Sequence, residues 1–211
     1  MQILDIHTHH PAPQPEAVIA VSPAEFKPVP NQFYSVGIHP WDTIEEVSTE
    51  TWNLFEQAAT HPQVVAIGEC GIDLVKGGPL YRQMQTMRRQ AEFAEKIGKP
   101  VIIHNVHAQE EIIGIKKDLK PMVGWLIHGF RGKPTVASML LKAGFLLSFG
   151  RNFNDRSLSE VPADRLLAET DEADCTIQEV ITALSSFAGR DLTEEIARNT
   201  RNFLNIKIET V

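Results

Sequence analysis

Asp5-Ile6-His7-Thr8-His9 ends the first apolar run of the chain, residues 3–6, and its reading decides the fold. Residues two apart on a strand point to the same face, so His7 and His9 aim in one direction, as metal ligation needs. A lone His-x-His is equally the composition of an exposed polar turn. What separates the two lies further along. Four more candidate ligands, Glu69, His104, His128 and Asp171, stand at the ends of four more apolar runs.

Those runs belong to a regular alternation. Strand patterns fall at 3–6, 17–21, 34–38, 64–68, 101–103, 123–127, 145–149 and 165–168. Helical spacing is read over about 49–59, with Trp52, Phe55 and Ala59 inward, and over 80–97, with Met84, Met87, Ala91 and Ala94 inward and Gly98 and Pro100 as stops. Further helices are read at 108–117, from Pro134 to Gly144, from the Thr176/Glu179 capping box onward, and at 193–204. Eight strands alternating with helices predict an α/β fold of the (β/α)8 TIM-barrel type, in one domain spanning 1–211. An open doubly wound sheet is the runner-up, but no Gly-x-Gly-x-x-Gly follows any strand. Barrel enzymes carry their chemistry at the C-terminal ends of the strands, where all six candidate ligands sit in this reading.

One part of the barrel reads as trimmed. Residues 10–31 hold Pro11, Pro13, Pro15, Pro23, Pro28 and Pro30, and no amphipathic helix follows strand one or strand two. The outer apolar face of those strands then needs another cover: a loop, helices leaning over, or the second subunit of a homodimer.

The chain has 211 residues, 43% hydrophobic and 22% charged, with a formal charge of −7. That acidity argues against a broad nucleic-acid surface, though not against a substrate held at one point by bound dications. No apolar run reaches a membrane span and the first residues lack a signal-peptide pattern, so a cytoplasmic protein is expected. Cys70 and Cys175 are too few for a disulfide framework.

Imidazole and carboxylate ligands suit zinc, manganese, magnesium or nickel. Six ligands exceed one tetrahedral site, so two divalent ions sharing a carboxylate is the economical reading. Such a pair serves the hydrolysis of phosphoesters and amides.

With these residues in hand, the sequence resembles the TatD-type metal-dependent hydrolases of the amidohydrolase superfamily. The resemblance is carried by Asp5-Ile6-His7-Thr8-His9, Gly37-Ile38-His39-Pro40, Gly68-Glu69-Cys70-Gly71-Ile72-Asp73, Pro100-Val101-Ile102-Ile103-His104, His128-Gly129-Phe130, Glu169-Thr170-Asp171, and Asn199 with Arg201 and Phe203. It implies that His7, His9 and Asp171 hold one metal, that His104 and His128 hold a second, and that Glu69 bridges them. It also implies that Asp171 orients the attacking water and takes its proton. The implied activity is ester hydrolysis, with 3′→5′ exonuclease action on single-stranded DNA or short oligonucleotides the best-known case. The alternatives are a same-fold hydrolase of a small amide, lactone or phosphate ester, and a metal-binding scaffold without turnover.

The departures from the family pattern are local. Val106 and His107 stand where the family usually places arginine and aspartate, so the fork that would grip a phosphate is missing. Arg131 is the candidate to replace it. His39 is read as a substrate contact, with a structural hydrogen bond as the alternative. Asp73 is expected to orient a neighbour or cap the next segment. Cys70 is expected in the core, and Lys76, Arg82 and Arg151 are candidates for weak phosphate contacts, with ordinary surface charge the preferred reading of each.

Overall fold

The structure, a computed structural model, describes residues 3–10 and 17–206; Pro11, Pro13 and Pro15 lie outside them. Among the described residues eight parallel strands close into a barrel in sequence order. They are β1 (Asp5–Thr8), β2 (Ala17–Val21), β3 (Phe33–Val36), β4 (Val64–Asp73), β5 (Val101–Val106), β6 (Trp125–Ile127), β7 (Leu146–Phe149) and β8 (Leu166–Ala168). The helices are α1 (Thr49–Ala59), α2 (Leu80–Ile97), α3 (Gln109–Leu119), α4 (Pro134–Lys142), α5 (Asp155–Leu158), α6 (Ile177–Ala188) and α7 (Thr193–Phe203). No helix among them is long and apolar enough to cross a membrane.

Local chemistry fixes the helix ends. The Ser48 hydroxyl accepts from Thr51 N at the start of α1, and Gly98 ends α2 in the left-handed region at φ 69°. At α6 the Thr176 hydroxyl accepts from Glu179 N while the Glu179 carboxylate accepts from Thr176 N, the reciprocal cap read from the sequence. The short α5 was not expected. The Asn154 side chain opens it by accepting from Ser157 N.

Apolar residues sort into two layers. Ile6, Val18, Ala66, Ile102, Leu126 and Leu167 fill the barrel, with Phe203 and Leu204 of the C-terminal segment packed against them. Leu4, Ile19, Tyr34, Ile67, Ile103, Ile127 and Leu147 join the helices in the larger outer layer. A loop covers the trimmed side. Phe26, in the connection after β2, packs on the cluster holding Leu4 and Ile19, with ring centroids 5.4 Å from Tyr34 and 5.3 Å from His61.

Two strand readings change. β4 does not stop at Gly68; it runs to Asp73, so Glu69 lies inside it. Gly68 and Gly71, at φ 143° and 151°, make this possible, since a Cβ there would lie 2.4 Å from Ile102 O and 2.0 Å from His104 O. Only glycine lets β4 lie this close to β5. β3 ends at Val36, and His39 instead opens a 3-10 turn over Pro40–Thr43.

The barrel closes where β1 meets β8. Asp171 N donates to His7 O at 3.0 Å and His9 N donates to Asp171 O at 3.1 Å. Beneath them the buried Asp5 carboxylate accepts from Thr170 N at 3.0 Å and from the Thr170 hydroxyl at 2.6 Å. Burial pushes Asp5 up to about 7, against the lowering effect of the Thr170 hydrogen bonds.

Candidate metal centre

Glu69 is the hub of the barrel mouth, and its two oxygens divide the histidines. Oε2 faces the Nε2 atoms of His7 and His9, at 3.4 and 3.3 Å. Oε1 faces His104 Nδ1 at 2.6 Å, His128 Nε2 at 2.7 Å and His39 Nε2 at 3.1 Å. The register dictates this: β4 pairs with β5 so that Gly71 lies beside His104, and the two glycines bring the strands together. His128 N is held by Ile103 O just past β6. Asp171, at φ 55°, is pinned by its backbone bonds to β1 and sets Oδ1 3.8 Å from both His7 and His9 Nε2.

All six expected ligands thus converge at one point. Three groups among the described residues bring potential ligand atoms within 4.8 Å of one another: His7, His9 and Glu69; His7, His128 and Asp171; His39, Glu69 and His104. The donors also fit a cation in chemical terms. His7 is fully buried, yet neither ring nitrogen has a hydrogen-bond partner. Buried polar atoms of this kind are costly unless something satisfies them, which a dication at Nε2 would do. Burial alone would raise the Glu69 pKa, but the imidazolium of His128 and the hydrogen bonds from His104, His128 and His39 hold it well below the usual carboxylate range.

Three further residues shape the centre. Glu169 is fully buried behind His128, with Oε1 3.5 Å from His128 Nδ1 and its other oxygen bonded by the Ser148 hydroxyl. No role for Glu169 was assigned from the sequence; only its place beside Thr170 and Asp171 pointed to it. Asp73 orients a neighbour and caps a segment at once. One oxygen accepts from Val75 N and Lys76 N, and the other accepts from Trp41 Nε1 at 2.8 Å and lies 3.3 Å from His104 Nε2. His39 Nδ1 accepts from Trp41 N, so in the neutral ring the proton is on Nε2 and is donated to Glu69.

A cavity of about 320 Å³ opens above these groups, lined by His9, Ser22, Glu25, His39, Trp41, Asp42, Glu69, His104, His128, Asp171 and Glu172 among others. Among the described residues no lysine or arginine lines it. Arg131 is not among the residues lining this cavity. Gly129, at φ 58°, turns the chain and Phe130 is buried, which leaves Arg131 exposed outside the cavity. Val106 pairs with Asp73 in the sheet, and His107 is exposed beyond it. Cys70 is buried in the outer layer, as expected, and burial pushes its thiol far up.

Comparison with known proteins identifies the family and the fold. Residues 20–204 match the family described as TatD related DNase. The chain is 34% identical to the uncharacterized metal-dependent hydrolase YabD of Bacillus subtilis over 66% of its own length and 58% of that protein. It is 33% identical to the 3′-5′ ssDNA/RNA exonuclease TatD of Erwinia tasmaniensis, over 65% of its own length and 56% of that protein. These matches span less than three fifths of the curated relatives. In fold, it superposes on the crystal structure of YJJV, a TatD homolog from Escherichia coli, with a TM-score of 0.81 at 20% identity, covering 97% and 98% of the two chains.

Proposed function

The chain belongs to the TatD related DNase family, and from that premise we propose that it is a two-metal hydrolase that removes nucleotides from the end of single-stranded DNA or a short oligonucleotide. The observation that carries this reading is the division of Glu69, with one oxygen toward His7 and His9 and the other toward His104 and His128. A carboxylate so placed is suited to bridging two ions. His7, His9 and Asp171 would hold one with it, and His104 and His128 the other. Bound dications would polarise a phosphoryl oxygen and lower the pKa of an attacking water.

The chain's own groups do the rest. Asp171 lies on the cavity wall, with Oδ1 3.8 Å from the Nε2 atoms of His7 and His9, placed to serve as base for an attacking water. It takes the water's proton. His39 lines the same cavity, and its Nε2–H, donated to Glu69 in this structure, would reach a substrate oxygen where Glu69 turns to the ions instead. Asp73 holds His104 from behind, and the Glu169 carboxylate faces His128 Nδ1 at 3.5 Å, placed to orient that ring by charge. The cavity volume lies at the small end for ligand sites and suits one terminal nucleotide rather than a long groove.

A second reading has its own support. Glu25, Asp42 and Glu172 at the cavity wall, without a lysine or arginine among them, favour a small neutral ester or amide over a polyanion. One assay separates the two. Protein purified without chelator is incubated with a 3′-labelled and a 5′-labelled single-stranded oligonucleotide, with magnesium or manganese, with EDTA, and as Asp171→Asn. Stepwise loss from the 3′ end, abolished by EDTA and by the substitution, supports the exonuclease. No cleavage of the oligonucleotide by metal-loaded protein that hydrolyses a small neutral ester overturns it in favour of the second reading.

A further inference from the structure

Beside the cavity lies an apolar lip that the chemistry above does not use. Six of the ten large apolar side chains exposed among the described residues fall in two short segments, 41–44 and 74–81. One follows β3 and the other follows β4, so both stand at the barrel mouth. They are bound together: Trp41 Nε1 donates to Asp73, the Arg82 guanidinium donates to Ile44 O, and a Cβ on Gly77 would lie 2.6 Å from Pro40 O. Trp41 belongs both to the lip and to the cavity wall, and it is 39% exposed. Val75, at 76%, and Tyr81, at 62%, extend the surface outward. The Lys76 ammonium rests over the Trp41 ring, 3.3 Å from its centroid.

We propose that this lip, centred on Trp41 and Lys76, seats the nucleobase and phosphate next to the scissile bond. The inference rests on the nucleic-acid reading of the site and names the part of the substrate that reading leaves unplaced. Several observations point to this occupant. An exposed indole flanked by apolar side chains offers a π-face that stacks with any base, which suits a substrate of unspecified sequence. Among the described residues no lysine or arginine lines the cavity, and the Lys76 ammonium is held against its aromatic wall. Its flexible stem lets the ammonium leave the ring for a phosphate as a base takes its place. Asp73 ties the lip to the centre, because one of its oxygens accepts from the Trp41 indole and lies against His104. A base on Trp41 is thereby held in fixed relation to the ring beside the reacting phosphate.

The test reads binding without turnover. The other two tryptophans, Trp52 and Trp125, are 8% and 0% exposed, so Trp41 is the indole a ligand can quench. The metal-loaded protein is titrated with a phosphorothioate-linked oligodeoxyadenylate and with an abasic oligomer of the same backbone. The base-bearing oligomer is expected to quench saturably and to bind about tenfold more tightly than the abasic one. Trp41→Ala should erase that preference, Trp41→Tyr should restore most of it, and Lys76→Gln should lower the salt dependence of binding by about one phosphate contact. Melting curves confirm that each variant is folded. Equal binding of the two oligomers, or a preference that survives in Trp41→Ala, overturns the lip. If the preference is present but the unmodified oligonucleotide is never cleaved, the lip stands and the exonuclease reading falls. Cleavage without the preference has the reverse meaning, and absence of both rejects both.

Discussion

His128 stands in line between two carboxylates, with Nε2 2.7 Å from Glu69 Oε1 and Nδ1 3.5 Å from Glu169 Oε1. Burial would lower the pKa of this ring, yet the two carboxylates hold it well above the usual imidazole range. With no ion between them, the carboxylates favour the protonated form of the ring.

That proton sets a pH dependence. Because the folded pKa of His128 is raised, its stabilisation of the metal-free protein is complete below the unfolded value of about 6.5 and is lost as the pH rises through the folded value. Metal binding requires the neutral ring and expels the proton, so metal affinity gains up to about tenfold per pH unit for each proton released. Melting temperatures of chelated and metal-loaded protein should separate as the pH rises from 6 to 9 (roughly the range spanned by the unfolded value and above), with the loaded protein the more stable. Parallel curves would show that His128 is not the displaced group.

Glu169→Gln keeps the shape of the side chain and removes the charge behind His128. Metal affinity, measured by calorimetry, should fall about 10- to 100-fold, the usual effect of losing a partner that orients a ligating histidine. An unchanged affinity would reduce Glu169 to packing.

Asp5 is a staple between strands. Asp5→Ala strands the buried Thr170 N–H, while the Thr170 hydroxyl keeps Thr8 Oγ1 as a partner, and should cost about 2 kcal/mol in denaturant unfolding. Asp5→Asn can accept from Thr170 N and donate to its hydroxyl, so it should cost less than about 1 kcal/mol. Equal losses would mean that the charge, rather than the pairing, is what matters.

Gly71→Ala tests the close approach of β4 and β5. Its Cβ would meet His104 O at 2.0 Å, so the strands must part and carry Glu69 away from His104. A loss of about 3 kcal/mol or more is expected, with weakened metal binding. Gly98→Ala meets nothing within 4 Å and should cost only about 1 kcal/mol, from its left-handed φ.

Arg131→Ala should leave the Michaelis constant for an oligonucleotide unchanged, since Arg131 stands outside the cavity. A severalfold rise would mean that the substrate extends past Phe130.

Much of this was legible in the sequence because it is local. α1 and α2 start and stop at the residues their caps and periodicity mark, and each candidate ligand ends or interrupts an apolar run. The readings that changed depend on what a neighbouring strand allows. β4 extends past Gly68 only because β5 lies against its glycines, and Arg131 turns outward because Gly129 and Phe130 set the turn. Glu169 was passed over because its partners, His128 and the Ser148 hydroxyl, come from β6 and β7 and share no sequence spacing with it. The same distance hid the contacts joining Trp41, Asp73 and His104.

The seam between β1 and β8 joins residues more than 160 positions apart, as in the bond from Asp171 N to His7 O. Loop closure makes such a contact among the costliest to form in the chain. The same bonds that shut the barrel also bring Asp171 to His7 and His9. A chain folded everywhere except at this seam would hold Glu69, His104 and His128 together but lack half of its centre. The candidate ligand set is thus complete only when the last strand is in place, so assembly of the site is tied to closure of the barrel.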